Sequence, residues 1–156
     1  MSERFDAAVI GAGMAGLAAA KLLARAGKTT ILLEASARSG GRVVTLKSDT
    51  GTAIELGPEF VHGKAEPIFS LAREAGVELV SIADRHFQKS GGRFAELKHA
   101  WQPPGGIGAA QALSAPFWGM LFIAGEATDH EYPGTVAGAL ASGARAARQA
   151  LQALQG

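Results

Sequence analysis

Glycines placed to admit a phosphate open the chain, in the run Gly11-Ala12-Gly13-Met14-Ala15-Gly16. Gly11 permits a tight turn after an apolar strand, Gly13 lets backbone approach a pyrophosphate, and Gly16 lets the following helix pack on the sheet. That helix would offer Met14 and Ala15 amide groups and a partial positive charge to the anion. Eighteen positions past Gly16 stands Glu34, where a carboxylate followed by Ala35 can accept hydrogen bonds from a ribose diol. This arrangement suits NAD and the AMP half of FAD equally. A second glycine pair, Gly40-Gly41, then places Arg42 beside the same site, where its planar donor fork could grip a pyrophosphate or ribityl region. NAD does not require that Gly-Gly-Arg.

A further set lies far along the chain. Leu121-Phe122-Ile123-Ala124 reads as a buried strand ending in Gly125-Glu126, and Tyr132-Pro133-Gly134-Thr135-Val136 opens a helix with Thr135 as a candidate N-cap. Other chemistry finds less support. His62, His86, His99 and His130 are scattered, although His62 follows a loop of interest. Asp129, His130 and Glu131 are adjacent and cannot easily converge on one metal ion. Ser36, Ser39 and Ser114 lack a nucleophile-elbow context. We expect no catalytic residue and no metal site.

Strands and helices must position these groups. Strand Ala7–Ile10, a helix from Met14 to about Ala26 ending at Gly27, and strand Thr29–Leu33 form a βαβ unit with parallel strands and a right-handed crossover. Arg42–Lys47 and Thr52–Leu56 read as a hairpin around 48–51. A helix is expected over Pro67–Ala75 with its stop at Gly76, then a strand Val77–Ile82 and a second hairpin His86–Leu97 turning at Gly91-Gly92. Strand 121–124 is expected beside strand 1. The last helix runs from Thr135 to about Leu154, with Leu140, Ala144, Ala147, Leu151 and Leu154 as its apolar stripe and Arg145, Arg148, Gln149 and Gln152 opposite. The fold class is therefore α/β, a Rossmann-like domain with a central parallel sheet flanked by helices plus small β-hairpins.

At 156 residues, 47% hydrophobic and 19% charged, the composition is that of one globular domain. A net charge of +1 supplies no basic field for nucleic acid. The absence of cysteine excludes disulfides, thiolate ligands and a thioether link to a cofactor. No apolar run suggests a membrane span, and strand 1 begins almost at once, so the expectation is a cytoplasmic protein with no nucleic-acid or membrane partner.

In combination the motifs resemble the flavin-containing amine oxidase family, the monoamine and polyamine oxidases and their histone-demethylase relatives. The resemblance is carried by Val9–Leu17, Leu33-Glu34-Ala35, Gly40-Gly41-Arg42-Val43, Glu55-Leu56-Gly57-Pro58-Glu59-Phe60-Val61-His62-Gly63, Phe122–Thr128 and Tyr132–Leu140. It implies FAD as cofactor, with Gly57, Pro58, Glu59 and Phe60 along the isoalloxazine ring. It also implies Gly125 and Glu126 at the ribityl–phosphate part, and the helix at Thr135 and Val136 aimed at the N1–C2=O edge. Negative charge on reduced N1 gives that last placement its physical reason.

Members of the family are several hundred residues long, and what this chain lacks corresponds to their middle. The family's lysine near flavin N5 maps onto none of Lys64, Lys89 or Lys98. The resemblance thus implies an FAD-binding core without a substrate domain, engineered or naturally miniaturised, assembled from halves 1–99 and 117–156 through a Pro/Gly-rich connection at 100–116. Phe60, Phe87, Trp101, Phe117 and Trp118 either fill the small core or mediate a homodimer through the surface the missing part leaves. Three functions remain open on these residues: a noncovalent FAD module with residual redox activity, a small amine oxidase whose pocket a second subunit completes, and an ADP/NAD-binding module without flavin.

Overall fold

The computed structural model describes residues 3–58, 60–81, 87–90, 93–96 and 108–155. The βαβ unit forms as its pattern predicts: β1 (Ala7–Ile10), α1 (Met14–Arg25) and β2 (Thr30–Leu33). The strands run parallel in the register Ala7↔Thr30 to Ile10↔Leu33. The Asp6 carboxylate accepts the Thr29 N–H at 2.7 Å, which helps set that register. Helix α1 ends where Gly27 turns with φ of 76°, and the Lys28 N–H returns to the Leu23 carbonyl.

Two hairpins also form, β3 (Thr45–Lys47) with β4 (Ala53–Glu55) and β5 (Phe87–Ser90) with β6 (Arg93–Glu96). The turn residues expected of the second, Gly91 and Gly92, lie outside the described residues, as do residues 100–107 of the expected connection. Helix α2 (Glu66–Ala75) starts with Pro67 in its first turn and stops at Gly76 in the left-handed region, as expected. It buries no residue fully. Exposed ion pairs tie it to α1, from Glu74 to Lys21 at 2.7 Å and to Arg25 at 2.6 Å. Helix α3 (Ala109–Ser114) is short, and α4 (Val136–Ala153) closes the chain.

The α/β class stands, but the sheet is narrower than expected. Among the described residues β1 pairs only with β2. Residues 77–81 form no strand, and Ile82 lies outside the described residues. Nor does the segment Leu121–Ala124 join β1. Leu121 instead bridges back to Phe117 across a tight turn at Trp118 and Gly119, both at positive φ. The Ile123 carbonyl is taken by the Arg145 guanidinium at 2.9 Å, so the backbone groups a strand would need are engaged elsewhere.

The core lies between α1, α4 and one face of β1. Ala19, Leu23 and Ala147 are buried together, with Ala7, Val9, Leu22, Ala150 and Leu151 packed around them. Of the stripe expected on α4, Ala147 and Leu151 do pack in this core, but its centre lies elsewhere. The buried face is made of small residues, Ala137, Gly138, Ser142, Gly143, Ala146 and Ala147, whereas Leu154 is exposed. A Cβ on Gly143 would stand 2.1 Å from the Ala15 carbonyl oxygen, so α4 and α1 meet almost backbone to backbone. Only small side chains permit that approach. Among the described residues no helix is long and apolar enough to cross a membrane.

Candidate FAD cleft between two helix N-termini

The glycine turn is built in layers. Gly16 packs beneath it, since a Cβ there would lie 1.8 Å from the Gly11 carbonyl oxygen. The loop carrying the second glycine pair folds onto the turn from the other side. The Gly40 N–H donates to the Ala12 carbonyl at 2.8 Å, and a Cβ on Gly41 would reach within 3.2 Å of Gly13 Cα. Gly57 backs the same loop, pressed so close to the Arg42 carbonyl that no side chain fits. Glu34 ties the turn to β2. One carboxylate oxygen accepts the Ala12 N–H at 2.6 Å, and the other accepts the Ser36 N–H and hydroxyl at 2.8 and 2.9 Å. These bonds, led by the Ser36 N–H, bring its pKa down to about 2.

The C-terminal half meets this turn through α4. Thr135 caps the helix as expected: its hydroxyl accepts the Gly138 N–H at 3.1 Å and donates to the Tyr132 carbonyl at 2.7 Å. Asp129 braces the approach by accepting the Glu131 and Tyr132 N–H groups. That use of its carboxylate is a turn-forming one. Gly125 is held by Ser142 of α4 and by Thr128 of the turn that follows it. Its N–H donates to the fully buried Ser142 hydroxyl at 3.0 Å, and its carbonyl accepts the Thr128 hydroxyl, which in turn accepts from Arg145 at 3.0 Å. Arg145 also donates to the Ser114 and Ile123 carbonyls. Burial lowers its pKa from the usual guanidinium value. The sequence placed Arg145 on a solvated face; it is instead a half-buried clamp on the Gly125 turn.

Between the halves runs a cleft of about 1220 Å³, above the roughly 300–1,000 Å³ usual for small-molecule pockets. Of the residues singled out from sequence, Gly13, Met14, Ala15, Gly41, Arg42, Gly57, Pro58, Phe60, Gly125, Glu126, Thr135 and Val136 line it. Gly11 and Gly16 do not, because they form the packed base of the turn. Glu34 and Ala35 stand outside the lining, connected to it through Ala12. Glu59 lies outside the described residues. The lining also includes Gly40, His62, Tyr132, Ala137 and Ala139, to which the sequence assigns no site role. Position relative to Gly40 was the available signal, since both glycines of the pair belong to one turn.

Electrostatically the cleft receives the N-termini of α1 and α4, and neither helix carries an acidic residue in its first turn. Helix α1 also has no side-chain cap, leaving its first amides without a side-chain acceptor. Across the cleft Arg42 and Glu126 form an ion pair at 2.6 Å, raising the arginine pKa and lowering that of the glutamate through their mutual hydrogen bond.

Comparison with known proteins assigns the chain. The profile described as flavin containing amine oxidoreductase matches residues 14–104 and 97–151. Human amine oxidase [flavin-containing] B is 39% identical over 82 residues, 53% of this chain and 16% of that protein. The Oncorhynchus mykiss amine oxidase [flavin-containing] is 40% identical over 78 residues, 50% of this chain and 15% of its own length. The chain therefore matches about a sixth of the length of such relatives. Among solved structures, putrescine oxidase bound to putrescine superposes with a TM-score of 0.46 at 27% identity, over 70% of this chain and 24% of that one. Cyclohexylamine oxidase from Brevibacterium oxydans IH-35A gives 0.49 at 25% identity, over 72% and 27%. With its Gly-Gly-Arg loop and most of its C-terminal helix within the matched residues, which begin at Met14 of the glycine turn, the chain belongs to the flavin-containing amine oxidoreductase family, whose cofactor is FAD.

Proposed function

We propose that this chain is a noncovalent FAD-binding module, a minimal cofactor domain of the amine-oxidase type with at most residual flavin redox activity. One observation carries the reading: two helix N-termini without acidic first-turn residues converge on one cleft large enough for a dinucleotide. Gly13 fits the group, because a Cβ there would meet nothing within 4 Å and its backbone is open to the cleft. Gly13, Met14 and Ala15 would hold the pyrophosphate with Arg42. Glu34 would take the ribose diol, for a carboxylate has about four acceptor positions and three protein donors leave one. Gly57, Pro58, Glu59 and Phe60 would border the ring, with Gly125 and Glu126 near the ribityl chain and Thr135 and Val136 at the ring's carbonyl edge. The bound flavin supplies two-electron redox chemistry. The protein's share is to orient it, and the α4 N-terminus favours negative charge on the neighbouring ring edge. No cysteine is available for a thioether bond, so FAD would leave on denaturation.

Amines are the proposed substrate class of the family core, but efficient turnover by this chain is not expected. Exposed Ile10, Val80, Trp118 and Met120 favour self-association and support a homodimer as the form in solution. The purified protein should show flavin absorbance bands and release FAD stoichiometrically when denatured. A colourless protein that fails to bind added FAD would refute the module. Turnover of benzylamine or putrescine at rates typical of enzymes would replace it with the second reading, a small oxidase completed by another subunit.

A further inference from the structure

We infer that Glu126 is an internal competitor for Arg42, an anionic latch across the cleft that a diphosphate must displace; this rests on the FAD-binding reading above. Among the ion pairs of the described residues, Arg42–Glu126 is the one whose two members both line the cleft. It links sequence neighbours of the two clamped turns. On one side, Arg42 follows Gly40 and Gly41, which are fastened to the glycine turn at Ala12 and Gly13. On the other, Glu126 follows Gly125, which Ser142 and Thr128 secure. Two fixed backbones thus present a cation and an anion to each other.

The two side chains are unequally placed. Arg42 is 81% exposed and free to swing toward a ligand, whereas Glu126 is 23% exposed and stays in the cleft wall. A diphosphate at the α1 N-terminus and the Glu126 carboxylate offer the same chemistry to one guanidinium, so only one of them can hold it. The pair consequently lowers affinity for a bare nucleotide diphosphate by what a mostly exposed ion pair contributes. A ligand with further contacts in the cleft overcomes that cost more easily, so the latch discriminates against small phosphate ligands.

The test is calorimetric titration of ADP, with adenosine as the phosphate-free control, into the full chain after flavin has been removed by dialysis. Glu126→Gln should tighten ADP about two- to fivefold at low salt, the range an exposed ion pair spans. The gain should shrink at 0.5 M salt, where screening weakens the pair. Adenosine affinity should not move. In an Arg42→Gln background the Glu126→Gln gain should disappear, which separates a latch from a general reduction of negative field. Glu126→Asp, which shortens the reach of the carboxylate, should also tighten ADP and serves if the glutamine variant does not fold. Unchanged or weaker ADP binding, or an equal gain without Arg42, would overturn the latch. FAD titration of the unsubstituted chain in the same preparation separates the two claims. Failure to bind FAD sinks the functional reading, whereas FAD binding with an indifferent Glu126→Gln variant sinks the latch alone.

Discussion

Gly143→Ala tests whether the site depends on the close approach of α1 and α4. The added methyl would stand 2.1 Å from the Ala15 carbonyl oxygen and 2.9 Å from its carbonyl carbon, against ordinary contact at 3.4 Å or more. Both neighbours are helix backbone and cannot rotate aside as a side chain would. The helices must therefore part by roughly 1.3 Å along that direction, and a gap of even 0.5–1 Å forfeits a quarter to a half of each dispersion contact. The pairs at risk are those of the core itself, Ala19 and Leu23 against Ala147. Overpacking usually costs about 1–3 kcal/mol, and an immovable neighbour puts this case near 3 kcal/mol. For a chain of this size that corresponds to a Tm lowered by roughly 6–12 °C. Ala15 also lines the cleft, so FAD affinity should fall in the same variant. Thermal and urea unfolding measure the first effect and FAD titration the second. Gly108→Ala is the control, since a Cβ there meets nothing within 4 Å. If Gly143→Ala unfolded with the parent, the backbone-to-backbone seam would be wrong.

Substitutions at two further positions, Glu34 and Thr135, test the groups that hold the glycine turn and the start of α4. Glu34 has a folded pKa of about 2, depressed below its ordinary 4.5, so its contribution to stability is present above pH 4.5 and is lost as pH falls through about 2. Glu34→Gln should therefore lower Tm at pH 7 and converge on the parent's Tm near pH 2; a gap that stayed constant across that range would contradict the hydrogen bonds to Ala12 and Ser36. Thr135→Ala removes the α4 cap and should cost about 1 kcal/mol, whereas Thr135→Ser should retain most of it. Equal losses in the two, by chemical denaturation, would show that the hydroxyl is not what caps the helix.

Local chemistry made much of this protein readable from its residues alone. Gly11, Gly13 and Gly16 with Glu34 predicted β1, α1, β2 and the placement of an anion site, because a tight turn and a close backbone approach demand glycine at fixed offsets. Gly76 and Thr135 marked helix ends for equally local reasons, a left-handed residue and a hydroxyl acceptor. The turn at 48–51 likewise set the first hairpin.

What depends on a neighbour distant in sequence had to await the fold. A buried-strand pattern at Leu121–Ala124 was overruled because Phe117 and Arg145 claim backbone groups there. Among the α4 leucines Leu151 packs on the core but Leu154 does not, and the closest seam belongs to Gly143 and its small companions, since the partner helix leaves no room for more. Arg145 looks like a surface residue in any helical projection, and only tertiary packing sets its guanidinium under the Gly125 turn. The Arg42–Glu126 pair bridges residues 84 positions apart in the chain, which no local spacing rule relates. Residue type and short spacing determined which groups could bind a dinucleotide; the packing of α4 on α1 decided that they face one cleft, because shape complementarity between distant segments is a property of surfaces that exist only once the chain has folded.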